Sequence, residues 1–501
     1  MDLLANLALG FDAAITLNNL MYCFAGVLLG TLVGVLPGLG PAATIAMLLP
    51  MTFTLPPLSA LIMLAGIYYG AQYGGSTTAI LINLPGETSS VVTAIDGYQM
   101  ARQGRAGAAL ATAAIGSFVA GTFATCVIAI LGPILARLAL KFGPADYCSL
   151  ILLGLVASVA LAHGSLLKAF CMIVLGLLLG LVGADVNSGE LRFTFGIPEL
   201  SEEIGLVAVA MGMFGISEIL HNLENELTRE PMVKNVSGLM PTREDLRRIA
   251  GPIARGTLLG SALGILPGGG AILSSFTAYS LEKKLSRDQS RFGKGAIEGV
   301  AAPESANNAG AQTSFIPMLT LGIPPNPVMA LMFGAMIIQG IVPGPSVMTE
   351  RPELFWGIIV SMWVGNLMLV ILNLPMIGLW VRLLRVPYHL LYPAILVFCC
   401  IGVYSVRNVE FDVYLMALFG LIGYVLVKLD CEPAPLLMGF ILGDLFEEYL
   451  RRAMILSRGD PMVFIERPIS ATMLVLTVLA LIIVLSPAVR RKREVVFQEE
   501  S

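Results

Sequence analysis

The stretch GVLLGTLVGVLPGLG, Gly26 to Gly40, recurs as GTLLGSALGILPGGG, Gly256 to Gly270. Nine of the 15 positions are identical. Chance in so apolar a chain would supply about one or two, so each copy is read as opening its own half of an internal duplication. Both copies end in Pro and Gly inside apolar sequence, Pro37-Gly38-Leu39-Gly40-Pro41 and Pro267-Gly268-Gly269-Gly270. Proline lacks the backbone donor and glycine costs a helix conformational entropy, so neither run continues a helix undisturbed.

The composition sets the solvent for these breaks. With 56% hydrophobic and 13% charged residues and a mean hydropathy of +0.83, the chain is expected to be an all-α integral membrane protein. Its 501 residues leave room for roughly ten to twelve spans of about 20 residues each. Lipid offers broken backbone no hydrogen-bond partner, so such breaks must be buried in protein or line a wet cavity. Matching breaks in two halves are the pattern of a transport site.

No Lys or Arg precedes Arg102, so the start lacks the basic region of a signal peptide and its helix is expected to stay in the mature protein. The seven cysteines form no CxxC pair and read as free thiols rather than a disulfide framework or metal site. Apolar segments of helical length fall at about 15–36, 58–83, 107–140, 147–162, 166–184 and 203–221, then 252–266, 296–323, 327–342, 354–381, 390–404, 411–428, 433–450 and 469–487. The short segments 41–53 and 271–282 each follow a glycine-rich break and read as half-helices of re-entrant hairpins.

Charge bias orients the halves. The polar stretch 222–250, with Arg229, Lys234, Arg243, Arg247 and Arg248, reads as a cytoplasmic linker, and Arg490-Arg491-Lys492-Arg493 places the C-terminus on the same side. The second hairpin has Arg255 before it and Lys283, Lys284, Arg287, Arg291 and Lys294 after it, whereas the first has no basic flank. That contrast predicts inverted repeats: 1–221 as the first, 251–465 as the second, and 466–501 as an added helix and basic tail.

A second pair of breaks follows. In the first half it is the run from Gly74 through Ser76, Thr77, Thr78, Asn83, Pro85 and Gly86 to Glu87. In the second half it runs from Pro303 through Asn307 and Asn308 to Gly322, Pro324 and Asn326, and aligning Pro85 with Pro324 sets Asn83 opposite Gly322. Helix N-termini inside the bilayer attract a carboxylate, while unwound carbonyls and Ser, Thr or Asn oxygens can coordinate sodium. Because residues 1–101 hold no basic side chain, an anion in the first half must be met by backbone N–H and hydroxyl groups.

Substrate contacts are therefore expected at Gly38, Leu39, Gly40, Asn83, Pro85, Gly86, Gly268, Gly269, Gly270, Gly322 and Pro324. A cation site is expected at Ser76, Thr77, Thr78, Asn307 and Asn308. Plainer roles compete. The series Gly26, Gly30, Gly34 and its copy Gly256, Gly260, Gly264 read as close helix contacts. Ser76, Thr77 and Thr78 either hold a cation or bond back to their own helix. Glu87 and Glu304 are either functional intramembrane acids or interfacial ones. His163, His221 and His389 have no partner at ligand spacing, and Asp444, Glu447 and Glu448 read as a solvated helix end beside Arg451 and Arg452.

Nearly the whole chain resembles the large membrane subunit of the bacterial tripartite tricarboxylate transporters, most closely in GVLPGLGPAATIAMLLP (34–50), GIYYGAQYGGSTTAILINLPGETSSVVTAIDGYQMARQGRAGAAL (66–110) and PESANNAGAQTSFIPMLTLGIPPNPVMALMFGAM (303–336). It departs at Pro325, where Gly-Ile-Pro-Pro stands in place of the expected Gly-Ile-Pro-Gly. The resemblance implies a permease of the bacterial inner membrane importing di- or tricarboxylates on a sodium or proton gradient. It implies as partners a small four-helix membrane subunit and a periplasmic solute-binding protein, with no cofactor and no nucleic acid. No GxxxxGK run marks a nucleotide site. A passive anion channel is the rival, though the breaks lack basic rings. An intramembrane enzyme is the other, though no GxSxG or HExxH pattern occurs.

Overall fold

The computed structural model describes residues 3–36, 39–161, 165–185, 188–224, 238–266, 270–384 and 388–485. Among them the chain is helical apart from turns and a two-residue antiparallel pair, Gly183–Ala184 with Leu191–Arg192. Five helices are long and apolar enough to cross a membrane: Leu17–Gly34, Ala106–Ala139, Leu206–Glu224, Pro352–Asn373 and Glu410–Lys428. Seven shorter apolar helices of 10–17 residues accompany them. These counts are of the described residues; the Pro57–Ile82 and Pro433–Leu456 helices, of 26 and 24 residues, are as long as a span but are not among the five.

The duplicated glycines define how each half is packed. In the Leu17–Gly34 helix, a Cβ on Gly26, Gly30 or Gly34 would lie 2.2, 2.3 or 2.5 Å from the carbonyl oxygens of Met63, Ile67 and Ala71 in the Pro57–Ile82 helix. In the Arg243–Leu263 helix and its C-cap Gly264, a Cβ on Gly256, Gly260 or Gly264 would lie 2.3, 2.3 or 2.4 Å from those of Ala302, Ala306 and Gly310. The receiving helix is then Glu298–Thr313. Each glycine series is therefore a flat strip on which a second helix lies backbone to backbone, at the same four-residue spacing in both halves.

The two receiving helices occupy the centre of the molecule. The Pro57–Ile82 helix is buried from Ser59 to Leu81, and the Glu298–Thr313 helix from Gly299 to Thr313. The second, EGVAAPESANNAGAQT, is too polar for lipid, so protein must surround it and satisfy it. Neither Gly74-Gly75 nor Pro303 breaks its helix; the chain first departs from helix at Asn83 and, after a junction at Ser314, at Gly322. The expected breaks are thus shorter than the sequence runs that signalled them. At the other end of the second half, the Arg243–Leu263 helix begins eight residues inside the stretch read as linker, because Thr242 and Asp245 form a reciprocal capping box there.

Candidate functional site

Several helix starts meet at one cavity of about 500 Å3. The Pro41–Leu48 helix begins at Gly40, which has no side chain to cap it, with Pro41 in the first turn. The Gly270–Leu285 helix begins at Gly270, in a left-handed conformation (φ +34°). The Pro327–Ile338 helix begins after Asn326, whose Oδ1 accepts from the Met329 N–H at 2.9 Å. Glu87 precedes the short turn Thr88–Ser90 that leads into the Val91–Arg102 helix. All of these starts contribute to the wall, and its lining contains no Lys or Arg.

In each half the two breaks touch. A Cβ on Gly40 would lie 3.4 Å from the Gly86 carbonyl, and one on Gly270 would lie 3.2 Å from Asn326 Nδ2. The residues set opposite one another by the proline alignment also match: Asn83 (φ 57°, ψ 28°) and Gly322 (φ 69°, ψ 30°) both end their helices in the left-handed conformation, two residues before proline.

Of the expected substrate contacts, Gly40, Pro85, Gly86 and Gly270 line the cavity. Leu39, Asn83, Gly322 and Pro324 do not; Leu39 is buried in the apolar core and Asn83 is exposed. The reason is directional. Left-handed residues close the helix that is ending, while the wall is built by the residues that start the next one, here Pro325, Asn326 and Pro327. Pro325, where the sequence departs from the family pattern, is thus in the wall. Gly38, Gly268 and Gly269 lie outside the described residues, as does His163. Asn326 was visible in the sequence as an Asn before a proline-led helix, an ordinary N-cap signal.

The expected cation residues divide. Ser76 Oγ donates to Glu304 Oε2 at 2.8 Å, and Thr93 Oγ1 donates to Glu304 Oε1 at 2.6 Å. Asn307 Nδ2 donates to Glu87 Oε1 at 2.9 Å, and Asn308 Nδ2 donates to Ser117 Oγ at 2.6 Å and to the Glu304 carbonyl at 3.1 Å. Gln72, with its amide nitrogen turned toward Glu87, donates to Oε1 at 2.7 Å. Thr77 and Thr78 instead bond back to their own helix, at the Tyr73 and Gly75 carbonyls. The sequence runs thus converge on two acids, Glu304 almost wholly buried and Glu87 at the cavity wall, neither with an ion-pair partner among the described residues. Basic groups on neighbouring helices are paired with other acids: Arg105 with Asp245, Arg248 with Glu298 and Arg255 with Glu282.

The cavity wall also takes in Glu218 and Glu432, which composition did not single out. Among the described residues no three His, Cys, Asp or Glu side chains gather as a metal cluster, and all seven cysteines are free thiols.

Helices broken around a cavity, packed by small residues and accompanied by apolar spans, make this a multi-pass α-helical membrane protein. The chain belongs to the tripartite tricarboxylate transporter TctA family, whose model matches residues 20–438. It is 63% identical over 500 residues, covering both chains in full, to an Agrobacterium vitis protein described as "Uncharacterized 52.8 kDa protein in TAR-I ttuC' 3'region". A second Agrobacterium vitis protein, described by its place in the TAR-II ttuC' 3'region, is 62% identical over 241 residues, 48% of this chain and all of the relative. No solved structure matches.

Proposed function

We propose that this chain is the permease subunit of a binding-protein-dependent secondary transporter that imports di- or tricarboxylates across the bacterial inner membrane. The observation that carries this reading is the meeting of several helix starts at one cavity whose wall, among the described residues, has no basic side chain. Uncapped N–H groups at helix starts bind carboxylates without a guanidinium, and they release them more readily than a buried ion pair would. Membership of the family supports the substrate class and the tripartite organisation. In this reading Gly40, Gly86 and Gly270 let carboxylate oxygens approach the backbone, and Asn326, whose amide caps Met329 and donates to Ser314, fixes the third start beside them. Leu39, Asn83, Gly322 and Pro324 hold the breaks open behind them.

The wall acids Glu87, Glu218 and Glu432 oppose an anion unless a cation enters with it, which is the electrostatic argument for coupling to sodium or protons. The partners are a small four-helix subunit and a periplasmic binding protein. The halves 1–221 and 251–465 are inverted repeats, a reading that rests on the basic flanks of the second hairpin and the bare flanks of the first. Movement of the hairpins against the remaining helices would open the cavity to each side in turn.

The test is uptake of labelled citrate and a panel of dicarboxylates into proteoliposomes holding this chain and its small partner, with binding protein and ion gradient each added or withheld. Uptake that requires both supports the proposal. Uptake that requires neither identifies a passive channel, and absence of uptake for every carboxylate rejects the substrate class.

A further inference from the structure

Apart from the main cavity lies a small space of about 20 Å3, enough for a single water-sized particle. Five segments form it, four of them with polar side chains. The Pro57–Ile82 helix supplies Tyr73, Ser76 and Thr77; the Glu298–Thr313 helix supplies Glu304; the Ala106–Ala139 helix supplies Ser117; and Asn373 closes the end of the Pro352–Asn373 helix. The rest of the wall is apolar: Leu110, Ala113, Ala114, Leu374 and Ile377.

Two of its polar atoms are orphans. Tyr73 Oη and Asn373 Oδ1 have no hydrogen-bond partner, although each residue is only 5% exposed. An unsatisfied buried polar atom costs about 1–3 kcal/mol, so two on one small cavity point to a ligand that both can meet. Asn373 Oδ1 can only accept, as can a Glu304 carboxylate that has given up its proton. Glu304 has no positive partner, and its neighbours Ser76 and Thr93 are neutral hydroxyls. Of the other ionisable groups on the packed elements, Glu87 is held by Asn307, Asp96 accepts from the Tyr279 hydroxyl and the N–H groups of Gly293, Gly295 and Ala296, Arg105, Arg248 and Arg255 are paired with Asp245, Glu298 and Glu282, and Arg102, Arg137 and Arg382 make no ion pair with Glu304. None of them neutralises Glu304.

We propose that this space is the binding site of one dehydrated sodium ion, held by Glu304, Asn373 and Tyr73 with the hydroxyls of Ser76, Thr77 and Ser117. An all-oxygen set suits a hard cation, and the single carboxylate matches a single positive charge. Residues of both halves supply ligands, so the ion ties the two receiving helices together. Asn307, one turn beyond Glu304, holds Glu87 in the wall of the main cavity, which gives ion and carboxylate a shared helix. The coupling role rests on the transport reading; the binding site itself does not.

The full chain, purified in nanodiscs without substrate or other subunits, should bind about one 22Na+ per chain saturably. Its melting temperature should rise with sodium when choline is exchanged for it at constant ionic strength. Tyr73→Phe, which keeps the shape and removes one ligand, should weaken sodium binding about tenfold, and Glu304→Gln should abolish it. Absence of saturable 22Na+ binding by the wild type overturns the proposal, as does wild-type binding by Tyr73→Phe together with Glu304→Gln. Should Glu304→Gln fail to fold, Tyr73→Phe and Asn373→Ala decide alone, and unchanged affinity in both overturns the site. Uptake driven by a proton gradient without 22Na+ binding would reject this site and leave the carboxylate permease standing.

Discussion

Gly40 and Gly270 start equivalent half-helices, yet a side chain would meet different obstacles at each. A Cβ at Gly40 finds only the Gly86 carbonyl at 3.4 Å, ordinary contact, whereas Gly270 sits at φ +34° with Asn326 Nδ2 at 3.2 Å. Any substitution at Gly270 strains the backbone, so Gly40 is the cleaner probe of the ligand space. Gly40→Ala is expected to fold and retain measurable uptake. Gly40→Leu is expected to insert normally and lose uptake at least about tenfold, because the larger side chain fills the approach to the helix start. Parallel measurement of membrane-inserted protein and of citrate or dicarboxylate uptake checks this; equal uptake by both variants would take Gly40 out of the site.

At the scale of elements, the glycine strips hold each half together without side chains. A methyl at Gly30 would sit 2.3 Å from the Ile67 carbonyl oxygen, inside contact distance of immobile backbone. Gly30→Ala must therefore push the Leu17–Gly34 and Pro57–Ile82 helices apart, at a cost of about 1–3 kcal/mol or more. Thermal unfolding in detergent should show a clear drop for Gly30→Ala and none for Gly378→Ala, where a Cβ meets nothing within 4 Å.

The start of the Arg243–Leu263 helix offers a second test. Partial burial pushes the Asp245 carboxyl up, but the Thr242 cap and the Arg105 guanidinium, 2.6 Å away, hold it below its ordinary value. Its stabilisation is thus present above the unfolded carboxylate value near about 3.9 and is lost as pH falls through the lower folded value. Asp245→Asn should lose about 1 kcal/mol at neutral pH, Arg105 being partly exposed and screened. The gap to wild type should close as the pH falls through that lowered folded value, as read from melting curves against pH.

Across the whole molecule, the Pro468–Leu485 helix is tied to the distant Pro144–Leu161 helix. Asp146, buried at the start of the Pro144–Leu161 helix, accepts from Arg467 Nε at 3.1 Å and Nη2 at 2.7 Å, and from the Ser470 N–H at 3.0 Å. Ser149 and Ser470 hydroxyls bond at 2.7 Å just beyond. Arg467→Ala leaves a buried carboxylate with only backbone donors, and is expected to cost about 2 kcal/mol. Limited proteolysis should then release the C-terminal helix earlier than in wild type, while unchanged cleavage would show that packing alone holds it.

The duplication, the membrane solvent, the places where helices end and the absence of basic groups in the first 101 residues were all legible in the amino-acid order. Each follows from local rules: glycine and proline act on the backbone beside them, and lipid excludes charge wherever the chain is apolar. The left-handed ends at Asn83 and Gly322 are of this kind. What the order alone did not decide was which atoms those ends would present. Asn326 rather than Pro324 reaches the cavity, Thr77 and Thr78 turn back to their own helix, and Tyr73, Ser117, Glu304 and Asn373 meet around one small space. Those residues lie tens to hundreds of positions apart, and no neighbour rule links them. Only the packing of four helices, set by glycine strips that bring backbones into contact, places their oxygens together.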